Sequence, residues 1–183
     1  MTLMTLILTL IALTWTGMAR VLIREWNDYS VARETVRVNE QVKNILQAGQ
    51  NLAFERGRTN VLLNAESPAD PKNLAFVETR RKAVDEYLRG SLFLPEILKH
   101  PAARSVQVDN MILQQMRMEV DRALSVPKAA RPAILAERWF IYTSNMIGDI
   151  GELVTQLSLT NDAFTASFRN FSRMKILAFQ LRV

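Results

Sequence analysis

The chain has 183 residues, no cysteine, one histidine and a formal net charge of +5. This length suits one domain with a membrane segment, and a chain without cysteine offers no disulfide, thiolate nucleophile or cysteine metal site. The basic residues are spread among nearly as many carboxylates and form no run that could follow a nucleic-acid backbone, so we expect no nucleic-acid partner.

The N-terminal segment is apolar from residue 3 to residue 23, and its only charge is Arg20. About 20 apolar residues span a bilayer core, and the Leu and Ile residues of this segment outweigh one peripheral arginine. We therefore predict a transmembrane signal anchor over residues 1–26. Gly17-Met18-Ala19 leaves a cleaved signal peptide as the alternative, because signal peptidases read small residues at such positions.

Beyond the anchor the sequence shows helical periodicity and no strand-like alternation. We predict helices over residues 27–66, 71–92, 104–124 and 133–159, joined by short proline-containing turns. Asp70 should cap the second helix, with Pro71 at its first position. The predicted fold is all-α, with an up-and-down antiparallel four-helix bundle over residues 27–160. Residues 161–183 read as the start of a further, truncated helix that carries the stripe Phe164, Phe168 and Phe171.

Arginines interrupt two of the predicted core stripes. The first helix has a seam in alternating steps of four and three residues from Val31 to Leu63, with Gly49 and Arg56 one heptad apart on it. Arg81 takes a similar position on the second helix, where the expected stripe begins at Leu74. A guanidinium inside packed helices is costly unless it meets a carboxylate, carbonyl oxygens or a bound anion.

Structural alternatives exist for each of these residues. Arg56 could form an internal ion pair, for example with Asp85, rather than bind an anion. Arg81 and Asp85 are four residues apart and could bridge on the helix surface. Gly57 fits a place of close backbone approach.

The residue types give no support for catalysis or for a bound metal. His100, the only histidine, lies in a loop beside a proline, where we expect it to face solvent, and alone it cannot build a metal site. No set of residues supplies a base, a nucleophile and an oxyanion hole. We therefore expect no catalytic residue, no metal and no cofactor, although a downstream output domain could itself be an enzyme.

A membrane anchor, a helix with Leu-x-x-Glu-Arg-Gly and a second helix with Arg-x-x-x-Asp resemble the nitrate- and nitrite-sensing (NIT) family of bacterial sensor domains. The matching residues are Leu52, Glu55, Arg56, Gly57, Leu62, Arg81 and Asp85. The resemblance implies a periplasmic sensor anchored in the inner membrane of a signal-transduction protein such as a chemotaxis receptor. It also implies that Arg56 contacts the anion, together with an arginine from a second half beyond Val183.

The resulting hypothesis is a membrane-anchored extracytoplasmic sensor, a homodimer, that binds nitrate or nitrite. Its predicted ligand-binding residues are Arg56, Arg81, Glu55 and Gly57. The charges flanking the anchor, Arg20 and Arg24, taken alone favour the opposite orientation, so the periplasmic location rests on the resemblance. The alternative is a membrane-tethered helical dimerisation or interaction module without ligand, in which Arg56 fixes helix register through a buried pair. A gene fragment without independent function is a third possibility.

Overall fold

The computed structural model describes residues 3–160, with side chains from residue 14 onward except at positions 28, 31, 32, 34, 35 and 160. The predicted helix over residues 161–183, with its phenylalanine stripe, lies outside the described residues. The chain divides into two compact units, Met1–Asn39 and Glu40–Val183. The boundary predicted at residue 26 therefore falls inside the first unit.

Within the described range the protein is all-helical and has no strand, which confirms the all-α prediction. Its helices are α1 (Leu3–Asn64), α2 (Pro71–Ser91), α3 (Pro95–Leu98), α4 (Pro101–Leu124) and α5 (Leu135–Thr160), with a 3-10 turn at Lys128–Ala130. The predicted anchor and the predicted first helix are one continuous helix. The short α3 was not predicted; it begins at a proline, whose fixed φ suits the first turn of a helix.

The first unit exposes much apolar surface. Its described side chains between residues 14 and 27 are all exposed, and the large apolar ones are Trp15, Met18, Val21, Leu22, Ile23 and Trp26. Exposed apolar surface of this extent is typical of a site of contact with a membrane or a partner. Among the residues that the structure describes, no helix has both the length and the hydropathy of a membrane-spanning helix.

The start of α2 follows the predicted capping signal. Asp70 accepts a hydrogen bond from the backbone N–H of Asn73 at 2.9 Å, and Pro71 opens the helix. The hydrogen bonds from Asn73 lower the pKa of Asp70, because they stabilise its charged form. The predicted α2 stripe is buried from Val77 onward, but its first member, Leu74, is exposed.

The core of the second unit is formed by one stripe from each long helix. From residue 42 onward the predicted α1 seam is buried, at Val42, Ile45, Gly49, Leu52, Arg56, Thr59 and Leu63. Helical spacing in the sequence also predicts a core stripe on each of α4 and α5, and both are buried apart from the half-buried Tyr142. Their members are Val106, Leu113, Val120 and Leu124 on α4, and Leu135, Trp139, Tyr142, Met146, Ile150, Leu153 and Leu157 on α5. Trp139 of α5 is fully buried, and its indole Nε1 donates to the backbone carbonyl of Arg56 at 3.3 Å.

Helices α4 and α5 pack in opposite directions. The backbone N–H of Ala102 contacts Gln156, and Glu119 contacts Arg138. Residue numbers therefore rise along α4 as they fall along α5, and these two contacts fix which residues of the two helices lie at the same level.

One arginine ties together the ends of two helices. Arg131 follows the 3-10 turn, and its guanidinium makes six hydrogen-bond contacts of 2.7 to 3.0 Å with backbone carbonyls, in which the Nε and Nη1 hydrogens are shared between neighbouring acceptors. The acceptors are the carbonyl oxygens of Leu62, Leu63, Ala65, Ser67, Ala123 and Val126. Because the last carbonyls of a helix lack partners within the helix, Arg131 caps the C-terminal ends of α1 and α4 together.

Candidate functional site

A buried carboxylate in the last third of α1 binds two arginines from other helices. Glu55 has no exposed surface. Arg117 of α4 donates from Nε to Oε1 at 2.9 Å and from Nη2 to Oε2 at 2.6 Å. Arg81 of α2 donates from Nε to the same Oε1 at 2.9 Å. This cluster joins α1, α2 and α4 through charge-assisted hydrogen bonds.

Two further carboxylates complete the cluster. Nη1 of Arg81 donates to both oxygens of Asp121, at 2.7 and 2.9 Å, and Nη1 of Arg117 donates to Asp85 at 2.7 Å. Burial by itself would lower the pKa of Arg117, but hydrogen bonding and charge from Glu55 and Asp85 raise it above its usual value. The charges of both arginines are therefore compensated within the protein.

This arrangement differs from the surface bridge considered for Arg81. Arg81 lies among the buried residues and binds Glu55 and Asp121, whereas Asp85 accepts hydrogen bonds from Arg117 and Gln114. The alternative of an exposed bridge between Arg81 and Asp85 is therefore wrong. The reason is that packing of α4 against α2 brings a competing guanidinium to Asp85.

Arg56 follows Glu55 directly in the sequence but lies in a different environment. Its side chain is 5% exposed, and its Nη1 donates to Ser144 Oγ on α5 at 2.8 Å. Its guanidinium carbon lies 4.9 Å from the centroid of the Phe140 ring. Among the residues that the structure describes, no carboxylate forms an ion pair with it, and burial lowers its pKa. Arg56 is therefore a buried cation without a compensating anion.

One edge of the Arg56 guanidinium is unused. Its Nε is buried and has no hydrogen-bond partner, and no described residue accepts from Nη2. The same two nitrogens of Arg117 bind the two oxygens of Glu55. The free edge of Arg56 thus has the geometry that takes an anion with two oxygens side by side. Because Nε has no accessible surface, neighbouring side chains must shift before an anion reaches it.

The residues around Arg56 belong mainly to α5. Ser144 Oγ accepts from Arg56 and donates to the backbone carbonyl of Phe140 at 2.6 Å. Thr59, one turn after Arg56 on α1, is fully buried, and its hydroxyl has no partner among the described residues. A buried hydroxyl without a partner is unfavourable, so α1 carries two unsatisfied buried polar groups within one turn, at Arg56 and Thr59.

The remaining predicted site residue, Gly57, lies away from this contact. It is exposed, and a Cβ atom at this position would meet nothing within 4 Å. The expectation of a close backbone approach at Gly57 is therefore wrong. His100 is half-buried at the start of α4, rather than fully solvent-facing, and burial lowers its pKa. Over the part of the chain that the structure describes, no three His, Cys, Asp or Glu residues are grouped to hold a metal ion.

Two residues of this region were missed by the sequence reasoning. Arg117 stands between Leu113 and Val120 in the same alternating steps that identified Arg56, so its place on the α4 stripe could have been noticed. Ser144 carries no comparable signal, because serine is common on helix surfaces and its contact with Arg56 depends on how α5 packs on α1.

The chain was also compared with known proteins. No family model, no curated protein and no solved structure matches it.

Proposed function

We propose that this chain is the membrane-anchored, extracytoplasmic sensory part of a bacterial signal-transduction protein, and that it binds a small oxyanion such as nitrate or nitrite through Arg56. The observation that carries the proposal is the buried and uncompensated charge of Arg56. Two neighbouring buried arginines are matched by three carboxylates, whereas Arg56 has only a hydroxyl and an aromatic ring. The motif that resembles the NIT family contains the same arginine.

The geometry favours an oxyanion over a simple halide as ligand. The unused edge offers two N–H groups side by side, which suit two oxygens of one planar anion. The hydroxyl of Thr59 is a further unsatisfied group close by in the sequence. Of the other predicted ligand residues, Glu55 and Arg81 are engaged in the internal cluster, so in this proposal they hold α1, α2 and α4 together and do not contact the anion.

The proposed architecture extends the observed helices. We take residues 40–64 of α1, together with α2, α4 and α5, as an up-and-down four-helix bundle, supported by the cluster that joins α1, α2 and α4 and by the opposite directions of α4 and α5. We take residues 3–23 as the membrane anchor, supported by their apolar sequence and by the exposed Trp15, Leu22 and Ile23.

Signalling in this proposal follows from the enclosed position of Arg56. An anion must shift side chains at the contact between α1 and α5 to reach Nε, so it stabilises a packing different from the anion-free one. A ligand changes the balance of two packings only through such a difference in affinity. Helix α1 continues from Arg56 into the proposed anchor, which gives the change a route towards the membrane.

The proposal is tested by thermal unfolding of the full chain in lipid nanodiscs with nitrate, nitrite or chloride at matched ionic strength. A ligand at about 100 times its dissociation constant adds about 2.7 kcal/mol to the free energy of unfolding, which raises the midpoint by several degrees. We expect a rise with nitrate or nitrite, little rise with chloride, and no rise in Arg56→Met.

A matched control is available two residues away. Arg58 is exposed and stacks on Phe76 with no ion pair among the described residues, so Arg58→Met removes one positive charge from the same helix outside the site. This variant should keep the full response to anion. An equal response in wild type and Arg56→Met would refute the assignment of Arg56. An equal loss of response in Arg56→Met and Arg58→Met would show that the anion responds to the general positive charge of the helix and not to a site at Arg56.

A further inference from the structure

Helix α4 carries a regular stripe on the side opposite its core residues. Its members are spaced alternately by four and three residues and are all exposed: Arg104, Val108, Met111, Gln115, Met118 and Arg122. Met111 is 70% exposed and Val108 is 56% exposed. Neither arginine forms an ion pair with a described residue. The stripe is therefore apolar or neutral in its middle and positively charged at both ends.

Helix α5 carries a stripe of the opposite charge on its own outer side. The exposed residues that share this side are Ile134, immediately before the helix, and Glu137, Ile141, Asn145, Gly148, Glu152 and Leu159 within it. Glu137 and Glu152 stand near its two ends, with Ile141 and Gly148 between them. Gly148 is exposed, and a Cβ atom there would meet nothing within 4 Å, so the helix surface has a small depression at this position.

The charged residues of the two stripes lie at similar levels along the helix axes. The contacts of Ala102 with Gln156 and of Glu119 with Arg138 fix the levels of α4 and α5. Continuing that register places Arg104 within about two residues of the level of Glu152, and Arg122 within about two residues of the level of Glu137, an offset of about 3 Å that long side chains can bridge. Val108 falls within about two residues of the level of Gly148. Within one chain both stripes face outward, so these charges do not meet each other.

We propose that the layer formed by α4 and α5 is the interface with a second copy of this chain. The two copies are related by a two-fold axis parallel to the helices, so that α4 of each copy packs on α5 of the other. This arrangement places Arg104 against Glu152 and Arg122 against Glu137 twice each, and it covers the exposed methionines. It does not depend on the proposed anion binding.

Charge selects this pairing over the other ways in which two copies could meet. If α4 packed on α4 of a second copy in parallel, each arginine would face itself. If the two α4 helices ran antiparallel, Arg104 would face Arg122. Both arrangements set like charges against each other, which is unfavourable at an interface. Only the exchange of α4 and α5 brings opposite charges together at both ends.

Cysteine cross-linking tests the geometry directly, because the chain has no cysteine of its own. The double variant Val108→Cys with Gly148→Cys should form a disulfide-linked dimer on mild oxidation of the full chain in nanodiscs or detergent. Neither single variant should cross-link alone, but a mixture of the two should give the heterodimer. Cross-linking by Val108→Cys alone, or no linked dimer from the double variant, overturns the proposed arrangement.

Charge reversal tests the energetics by sedimentation in matched-density detergent. Arg104→Glu and Glu152→Arg should each raise the dimer dissociation constant by about tenfold or more, because each creates two like-charge contacts per dimer. The double variant should return to within about threefold of wild type, since it restores both pairs in reversed order. Failure of the double variant to recover would overturn the pairing of these two residues.

A steric test uses the open position at Gly148. Gly148→Trp should leave the helix content unchanged, because the side chain enters open space, yet it should make the protein monomeric. Gly90 of α2 is also an exposed helical glycine with nothing within 4 Å of a Cβ, so Gly90→Trp is the matched control and should stay dimeric. A dimer of unchanged strength in Gly148→Trp would contradict the interface.

Discussion

Glu55 and Arg56 are adjacent in α1, but their side chains contact different helices. Glu55 binds Arg81 of α2 and Arg117 of α4, whereas Arg56 contacts Ser144 and Phe140 of α5. One site is compensated in charge and the other is not. The two contacts can therefore serve different purposes, and substitution can separate them.

Glu55→Gln should strongly destabilise the protein. The change leaves Arg81 and Arg117 buried without their shared carboxylate, and breaking a buried pair in this way costs about 3–5 kcal/mol. Urea unfolding followed by circular dichroism measures the loss. Glu78→Gln is the control, because Glu78 meets Lys82 at 3.6 Å in an exposed pair that contributes about 1 kcal/mol or less. Similar losses in both variants would mean that the buried cluster is not a main source of stability.

Arg56→Met should change stability by less than about 1 kcal/mol in the absence of anion, or increase it. The variant loses the bond to Ser144 and the stacking on Phe140, but it also removes the cost of burying an uncompensated charge. The free energy of unfolding in chloride-free buffer provides the measurement. A loss of about 3 kcal/mol or more would show that Arg56 is paired in the native protein, as the dimerisation-module hypothesis requires.

Stability should fall as pH rises through the titration of Asp109. Burial raises the pKa of Asp109, and Asp149 raises it further through its negative charge and by accepting a hydrogen bond from the protonated form of Asp109, while the hydrogen bond from Tyr142 opposes the rise. The folded state then holds this proton more tightly than the unfolded state, whose carboxyl titrates at about pH 3.9. The stabilising effect is complete at low pH and is lost as pH rises through the raised pKa.

Asp109→Asn isolates this effect because it removes the titration and keeps an acceptor for Tyr142. The advantage of the variant over wild type in urea unfolding should grow as pH rises above about pH 4, where the unfolded carboxyl has lost its proton. A difference that does not change with pH would contradict the predicted titration.

Arg131→Leu should destabilise the protein by about 1.5–3 kcal/mol, the usual contribution of hydrogen bonds to a charged group. The variant leaves carbonyl oxygens at the ends of α1 and α4 without their donor. Arg138→Leu is the control, because its contact with Glu119 at 3.4 Å is exposed on both sides. Hydrogen exchange should locate the loss of protection at the last turns of α1 and α4.

Local sequence signals predicted the parts of the fold that depend on neighbouring residues. Asp70 and Pro71 predict the start of α2, and the alternating spacing of four and three residues on α1 predicts that Arg56 lies in the interior. The partners of Arg56, Arg81 and Glu55 could not be predicted in this way. They come from other helices, and which guanidinium reaches which carboxylate depends on the register of helix packing, which the spacing within one helix does not contain.

The arginine cap at the end of α1 also determines how far a movement can be amplified. Arg131 binds the last carbonyls of α1 and ties them to the end of α4, so a tilt of α1 pivots about this end, which is the fulcrum of the movement. From Leu62 back to Glu40 the helix extends about 33 Å at 1.5 Å per residue. A tilt of about 3° around the fixed end therefore displaces the helix at Glu40 by nearly 2 Å. Arg56 lies only about 9 Å from the fulcrum, so a shift of about half an ångström there is enough to produce that displacement.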